Sequence, residues 1–303
     1  MDKPHILHLF TPAAQASPFD VNMAYDAGFD AVIPYTGMRM ADVTALTQDA
    51  IFSRGPKGVR RTGIFIGGRD LALALEMLDA ARKAMVPPFE VSVFVDPSGA
   101  FTTAAAAVAV VERRLKASFD GGLAGNRVLV LGGTGPVGSA AAILGAQEGA
   151  RVRLASSSAL ERAQAACRMV RSRYGLEVEP VLADGGALEA LIADAQVVIA
   201  AAKAGVEVVS SSALTKAHEL LVAADVNAVP PAGIPGVGVM DDGAALAAGS
   251  GKATGIGALA IGNVKYQVER SMFEQMLGAD KALYLDFRHA FAKARELVEK
   301  GKA

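Results

Sequence analysis

A glycine-rich turn between an apolar strand and a helix constrains the fold of this chain more than any other feature of its sequence. Residues 128–138 read VLVLGGTGPVG, so an apolar run passes directly into the spacing G-x-G-x-x-G. In this spacing Gly133 permits the tight turn, Gly135 lets the backbone approach a pyrophosphate, and Gly138 lets the helix lie close to the strand. The helix N-terminus then faces the phosphates. We predict dinucleotide binding by Gly133, Thr134, Gly135, Pro136, Val137 and Gly138; the alternative is a turn with a structural role only.

The same stretch raises the question of a membrane span. Residues 128–147 carry no charged side chain, and about 20 apolar residues suffice to cross a bilayer. The stretch contains five glycines and Pro136, however, which favours a strand, a turn and a buried helix. Residues 1–12 lack the basic and apolar regions of a signal peptide. We therefore predict a cytoplasmic protein without a membrane partner.

Charge and cysteine content narrow the classes of function. Lys and Arg number 30 against 31 Asp and Glu, so no strong overall charge indicates a nucleic-acid partner. A single cysteine, Cys167, excludes an intrachain disulfide or a four-cysteine metal site, and we expect it to be a packed small apolar residue. The histidines at 5, 8, 218 and 289 are too scattered to indicate a metal site. We predict no bound metal.

Strand and helix patterns alternate along the whole chain. This alternation is typical of an α/β protein with parallel sheets covered on both faces. Strands are predicted at 5–10, 31–35, 63–67, 91–95, 127–131, 152–155, 177–182, 196–201 and 220–225. Helices are predicted after Ser17 and at 40–52, 70–85, 102–116, 136–148, 160–174, 187–192, 257–276 and 287–300. Met272 and Met276, four residues apart, are expected in the core.

Glycines at 121, 122 and 125 mark a linker, after which the pattern restarts. We predict an N-terminal α/β domain at 1–120 and a Rossmann-type, doubly wound domain at 121–265. The C-terminal helices at 266–303 are expected to return to the first domain. At this length one large domain or two domains of medium size are expected.

The end of the second Rossmann strand bears on the choice of cofactor. An acid about 20 residues past the first glycine would bind the ribose 2′-hydroxyl of NAD, but the strand at 152–155 is followed by three serines. Ser156 and Ser157 are predicted to accept the 2′-phosphate of NADP, helped by Arg153 or Arg162; a plain polar loop is the alternative. We expect NADP to be accepted and NAD not to be excluded. Asn227, after a later strand, is predicted to contact nicotinamide, with a structural turn as the alternative.

The chain resembles the NAD(P)-dependent methylene-tetrahydromethanopterin dehydrogenases of methylotrophic bacteria along its full length. The segments that carry the resemblance are SPFDVN at 17–22, IPYTG at 33–37, IFSR at 51–54, RTGIFIGG at 61–68, FTT at 101–103, GGTG at 132–135, DVNAVPPAGI at 225–234 and GIGALAIGNVKY at 255–266. The resemblance implies a pterin-binding N-terminal domain, an active site between the domains, and a homo-oligomer. It also implies hydride transfer from the methylene bridge of the pterin to NAD(P). This reaction would belong to one-carbon metabolism, in the pathway that oxidises formaldehyde.

Such a hydride transfer moves no proton, so it depends on orientation and on stabilising a developing cation. Asp20 and Lys265 are the catalytic candidates; their alternatives are a role at the helix N-terminus and a solvated helix lysine. Substrate binding is predicted for Asn22, Asp96, Thr102 and Thr103, because these residues follow strands at the edge where α/β proteins bind ligands. Thr102 or Thr103 could instead be a helix N-cap.

Three other functions fit the same pattern. The first is the corresponding oxidation of methylene-tetrahydrofolate, and a more distant one is a shikimate or glutamyl-tRNA type of reductase. The third is a sensor that binds NAD(P) without catalysis. A sensor needs no hydride donor beside the nicotinamide, so the polar residues Asp20, Thr102 and Lys265 favour an enzyme.

Overall fold

The structure, a computed structural model, describes residues 3–301. The fold divides into two compact units. The first comprises Met1–Thr102 and Tyr266–Lys293, and the second comprises Thr103–Lys265 and Ala294–Ala303. The divisions fall inside helices. The one after Lys265 coincides with a boundary suggested by the sequence, whereas the suggested boundary after residue 120 lies 18 residues beyond the division after Thr102.

The first unit contains a five-stranded parallel sheet. Its strands are β1 (Ile6–Phe10), β2 (Ala31–Tyr35), β3 (Thr62–Ile66), β4 (Ser92–Val95) and β12 (Tyr284–Leu285), in the order β12-β4-β3-β1-β2. Its complete helices near the N-terminus are α1 (Pro18–Ala27), α2 (Asp42–Phe52), α3 (Pro56–Val59) and α4 (Leu71–Ala84). From β1 the chain continues to β2 on one side and then to β3 on the other, so the strand order reverses between β1 and β3. Ligands of open α/β sheets bind at such a switch point.

Local sequence explains where α1 begins and ends. The Ser17 hydroxyl accepts a hydrogen bond of 3.3 Å from the Asp20 backbone N–H, and Pro18 occupies the first helical position. Gly28 ends the helix in the left-handed conformation, with φ of 109°. The predicted start of a helix directly after Ser17 is confirmed.

The C-terminal helices contribute to the core of the first unit. They are α10 (Ala258–Gly278) and α11 (Phe287–Glu299). The Phe273 ring lies 5.3 Å from the Phe94 ring and 5.4 Å from the Phe65 ring, between centroids. Met272 and Met276 are buried, as predicted. The two-residue strand β12, which the sequence did not predict, forms because Val93 N–H donates to the Leu283 carbonyl beside it.

The second unit contains a seven-stranded sheet. Its strands are β5 (Arg127–Leu131), β6 (Arg151–Ser156), β7 (Glu179–Leu182), β8 (Val197–Ala200), β9 (Val222–Asp225), β10 (Asp242–Ala245) and β11 (Thr254–Ile256), in the order β10-β11-β9-β8-β5-β6-β7. Its helices include α6 (Pro136–Gln147), α7 (Leu160–Tyr174), α8 (Gly185–Asp194) and α9 (Ser211–Thr215). Apart from the antiparallel β10, the order is that of a six-stranded Rossmann sheet, with the switch point between β5 and β8.

The long helix α5 (Ala100–Ser118) crosses from the first unit into the second. In the second unit Arg295 of α11 donates to both carboxylate oxygens of Glu112 on α5, at 2.7 and 2.8 Å. Arg295 also pairs with Glu148 at the end of α6. This ion-pair group holds the C-terminal part of α11, from residue 294 on, within the second unit.

The uncharged run at 128–147 forms β5, the glycine turn and α6, as predicted. Within residues 3–301, no helix is both long and apolar enough to cross a membrane.

Candidate functional site

The glycine turn between β5 and α6 is built by close approach of backbone to backbone. Gly132 has φ of 69°, and a Cβ there would lie 2.6 Å from the Ala202 nitrogen. Gly133 donates to the Ala155 carbonyl at 3.0 Å, and its Cβ would lie 2.7 Å from Cγ of Leu154. The positive-φ position of the turn is therefore Gly132, and the assignment of that role to Gly133 was wrong. Gly133 is required because the turn passes directly against Leu154 and Ala155 of β6.

The start of α6 leaves room for an anion. A Cβ at Gly138 would lie 2.5 Å from the Gly132 carbonyl oxygen, so only glycine brings the helix this close to the turn. At the N-cap residue Gly135 a Cβ would have Gly132 O as its nearest neighbour, at 3.4 Å, and this glycine is not required by the protein's own packing. Glycine supplies no capping side chain, so the first N–H groups of α6 can face a ligand. Thr134, Pro136 and Val137 are half-buried in the same turn. The cradle fits a pyrophosphate.

The end of β6 places the predicted serines in different environments. The buried Ser156 hydroxyl accepts from the backbone N–H groups of Ser158 and Ala159, at 3.4 and 3.3 Å. Ser157 is exposed. Arg162 of α7 donates to the Ser158 hydroxyl at 3.3 Å, so a guanidinium lies beside this loop.

Arg153 is engaged elsewhere. Its guanidinium pairs with Glu179 at 3.0 Å and with Asp194 at 2.7 Å. Burial lowers the pKa of Arg153, but the hydrogen bonds that it donates to the two carboxylates outweigh burial and raise the pKa overall. Of the two arginines suggested by the sequence, Arg162 is the one at the serine loop.

The loop after β9 is organised by two side chains. The buried Asp225 carboxylate accepts from the N–H groups of Asn227 and Gly233, at 2.9 and 2.7 Å. The Asn227 amide oxygen accepts from Gly205 and Val229, and its nitrogen donates to the Pro231 carbonyl at 2.9 Å. Asn227 thus joins the loops after β8 and β9, which is the structural alternative considered for it. Its contact with nicotinamide stays a prediction.

At the carboxyl edge of the first sheet, Asp20 lies beside the switch point. The carboxylate is 3% exposed, and a Cβ at Gly67 would lie 3.8 Å from its Oδ2. Gly67 follows β3, and Thr11, which follows β1, is equally close to that point. Asn22 is on α1 two residues later and is exposed, because positions i and i+2 of a helix face different directions. The structure therefore does not bring Asp20 and Asn22 together.

Asp96 and Thr102 bind each other. The Asp96 carboxylate accepts a hydrogen bond of 2.6 Å from the Thr102 hydroxyl and one of 2.7 Å from the Phe101 N–H. Asp96 and Thr102 are both 0% exposed. The carboxylate therefore holds the first turn of α5, and Asp96 is the capping residue there rather than Thr102 or Thr103. Thr103 is half-buried in α5, and Lys265 is half-buried in α10.

Asp225 and Gly132 are the residues of these edges that the sequence reasoning missed. Asp225 carries the signal of an acid at the last position of an apolar strand, and Gly132 that of a glycine immediately before the motif. Cys167 is buried, and burial raises the pKa of its thiol to about 11, so it is the inert apolar residue expected. In the described part of the chain no group of His, Cys, Asp or Glu could hold a metal ion.

A family model and a relative with high sequence identity indicate the same family. Residues 18–98 match the family model described as methylene-tetrahydromethanopterin dehydrogenase, N-terminal. The chain is 51% identical over 97% of its length to the NAD(P)-dependent methylenetetrahydromethanopterin dehydrogenase of Methylorubrum extorquens, covering 98% of that protein. It is 34% identical over 97% of its length to the bifunctional protein MdtA of the same organism, covering 99% of it.

A solved structure supports the fold alone. The shikimate 5-dehydrogenase of Mycobacterium fortuitum matches with a TM-score of 0.54 and 14% identity, over 97% of this chain and 98% of that one. The predicted α/β fold with a Rossmann-type sheet is confirmed by the strand orders described above.

Proposed function

The chain belongs to the methylenetetrahydromethanopterin dehydrogenase family, and on that premise we propose that it oxidises methylene-tetrahydromethanopterin to the methenyl form with NAD(P). The observation that carries the proposal is the 51% identity to the dehydrogenase of Methylorubrum extorquens over 97% of this chain. The glycine cradle at the start of α6 supplies the expected dinucleotide site.

The reaction requires little acid–base chemistry from the protein. When bound, NAD(P) would supply a nicotinamide as hydride acceptor, and the pterin would leave as a resonance-stabilised cation. The protein's tasks are to bind both molecules, to orient them and to stabilise the positive charge. The α6 N-terminus would hold the pyrophosphate through the backbone of residues 133–138.

The buried Asp20 carboxylate suits the developing cation. A carboxylate that is 3% exposed at the switch point acts in a poorly hydrated environment, where charge interactions are stronger than in water. We assign Asp20 this electrostatic role and Lys265 the orientation of substrate. Asn22 and Thr103 remain candidates for pterin contacts. Asp96 and Thr102, because they bind each other, would act by holding the start of α5 in place.

The serine loop after β6 accounts for the use of both cofactors. No acid follows β6 to bind the 2′-hydroxyl of NAD selectively or to repel the 2′-phosphate of NADP. Ser156, Ser157 and the nearby Arg162 would bind that phosphate by donating hydrogen bonds to its oxygens. Asn227 would keep the loops after β8 and β9 in place beside the nicotinamide.

The decisive assay follows absorbance at 340 nm with purified protein, each reduced pterin and each nicotinamide cofactor. We expect reduction of NADP and NAD with methylene-tetrahydromethanopterin. Activity with methylene-tetrahydrofolate alone would identify the folate enzyme instead. Cofactor binding without reduction by either pterin would identify a sensor and contradict the proposal.

Membership of the family is also our basis for proposing the location, the assembly state and the pathway of the enzyme. We propose a cytoplasmic homo-oligomer that acts in the one-carbon metabolism of a methylotroph, in formaldehyde oxidation. Light scattering coupled to size exclusion would test the oligomer: a mass of 31.1 kDa, that of one chain, would contradict it.

A further inference from the structure

Ser98 has a backbone conformation that its side chain disfavours. It lies in the short 3-10 turn Pro97–Gly99 between β4 and α5, with φ of 56° and ψ of 33°. In this left-handed region a residue with a Cβ costs roughly 1–2 kcal/mol, whereas glycine adopts it freely. A strained residue persists only where its surroundings hold it, and such residues are concentrated at functional sites. Here the fully buried Asp96, two residues earlier, fixes the turn by its bonds to Phe101 and Thr102.

The conformation places the Ser98 hydroxyl at the carboxyl edge of the sheet. Its Oγ donates to the Gly68 carbonyl at 2.7 Å, so it joins the loop after β4 to the loop after β3. Gly67, the residue before Gly68, is the one beside Asp20. Ser98 is nevertheless exposed. The hydroxyl therefore lies on the same accessible edge as the catalytic candidate Asp20.

The hydrogen bond to Gly68 decides what the hydroxyl can offer a ligand. A serine hydroxyl has one proton and two acceptor lone pairs. Because the proton is directed at the Gly68 carbonyl, the remaining capacity of Oγ is that of an acceptor. A pterin ring presents N–H donors from its amino group and ring nitrogens. Those donors match the acceptor that the turn holds in place.

We propose that Ser98 binds the substrate by accepting a hydrogen bond from an N–H group of the pterin ring, and that its left-handed conformation is retained to aim that hydroxyl. The proposal rests on the proposed function and adds a substrate-binding residue to it. Ser98 takes no part in hydride transfer, so it affects substrate affinity rather than the chemical step.

Ser98→Gly tests the proposal, because it removes the hydroxyl and relieves the backbone strain at once. With the whole protein, we expect the KM for methylene-tetrahydromethanopterin to rise about tenfold, the change that loss of one hydrogen bond produces. The Kd of tetrahydromethanopterin, measured by calorimetry, should rise equally. The values of kcat, the KM for NAD(P) and Tm should stay the same, or Tm should rise.

Asp120→Gly is the matched control. Asp120 also has positive φ, at 53°, and is exposed in the linker after α5. The two variants share the relief of strain, so Asp120→Gly should leave the pterin KM unchanged.

Two results would overturn the role of Ser98. One is an unchanged pterin KM and Kd in Ser98→Gly, which a purely structural residue would give. The other is an equal rise in KM for pterin and for NAD(P), which would indicate a general disturbance. If the wild-type protein itself reduces no cofactor with any pterin, the proposed function fails rather than the role of Ser98.

Discussion

The carboxyl edges of the two sheets are built from different parts of the chain. In the second unit the edge is formed by backbone, since Gly132, Gly133 and Gly138 have no space for a Cβ and Gly135 leaves the helix N-terminus open. In the first unit it is formed by buried side chains, those of Asp20 and Asp96, which are 3% and 0% exposed. A substitution that adds a Cβ should therefore disrupt the edge of the second unit. A substitution that removes a carboxylate should disrupt the edge of the first unit.

The largest effect is expected from adding one methyl group to the backbone-built edge. In Gly138→Ala the new Cβ would lie 2.5 Å from the Gly132 carbonyl oxygen and 2.7 Å from Cα of Gly133, neither of which is a flexible side chain. We expect the free energy of unfolding to fall by about 3 kcal/mol and NAD(P) binding to be lost, because α6 must move away from the turn. Urea denaturation and calorimetric titration with NADP measure both.

Gly186→Ala is the control for that variant. Gly186 is exposed in α8, and a Cβ there would meet nothing within 4 Å. Alanine in a helix is favoured over glycine, so stability should rise by up to about 1 kcal/mol and cofactor binding should not change. Normal NADP affinity in Gly138→Ala would show that the edge is not fixed by backbone contact.

The contrast between the two edges also explains what the sequence could predict. The spacing of residues 133–138 identified the cofactor cradle, because the requirement for missing side chains leaves a local pattern of glycines. The hydrogen bond between Asp96 and Thr102 leaves no such pattern in the sequence. It depends on the turn at Ser98, which brings two side chains six residues apart into contact. For Asn227 the sequence indicated the correct loop, but the choice between ligand and loop contacts depends on Gly205, which is distant in sequence.

The fold was predictable for the same reason in its long elements. The bounds of β2, β5 and α7 agree with those predicted, because apolar runs and helical periodicity are properties of the segment itself. The missed strands β10, β11 and β12 are two to four residues long and depend on a neighbouring strand. The tight turn was assigned to Gly133 instead of Gly132 because only residues 133, 135 and 138 fit the spacing G-x-G-x-x-G, which gives no role to the glycine before it.

The side-chain-built edge should respond most to removal of its central carboxylate. Asp96→Ala leaves the buried Phe101 N–H without its side-chain acceptor and leaves the buried Thr102 hydroxyl only the longer bond to the Gly99 carbonyl, at 3.2 Å. We expect the free energy of unfolding to fall by about 2–3 kcal/mol, measured by urea denaturation. Asp70→Ala is the comparison: Asp70 caps α4 by accepting from Leu73 at 2.9 Å but is exposed, so its loss should cost only about 1 kcal/mol. Equal losses would show that burial adds nothing.

Another buried carboxylate of the first unit, Asp286, gives a pH-dependent effect. Burial raises the pKa of Asp286, but hydrogen bonds from His289 and Arg288 outweigh it and lower the pKa from 3.8 to about 2. The lowered pKa means that the charged form stabilises the fold above about pH 4 and that this stabilisation is lost as the pH falls towards 2. It amounts to about 2 kcal/mol. Asp286→Asn should remove that part of the acid sensitivity in urea denaturation curves between pH 5 and 2. Parallel curves for the two proteins would contradict the assignment.

The smallest effect is expected where the backbone-built edge does use a charged side chain. Arg162 lies beside the serine loop after β6 and is exposed, so its guanidinium can be removed without disturbing the glycine cradle. In Arg162→Ala we expect the ratio of kcat/KM for NADP to that for NAD to fall about tenfold, from loss of one charge-assisted hydrogen bond to the 2′-phosphate. Arg168→Ala removes the same charge from an exposed position of the same helix, six residues further on, and should leave the ratio unchanged. If both variants lower the ratio equally, the preference arises from the overall charge of α7, and the discrimination between cofactors does not depend on a contact at the loop.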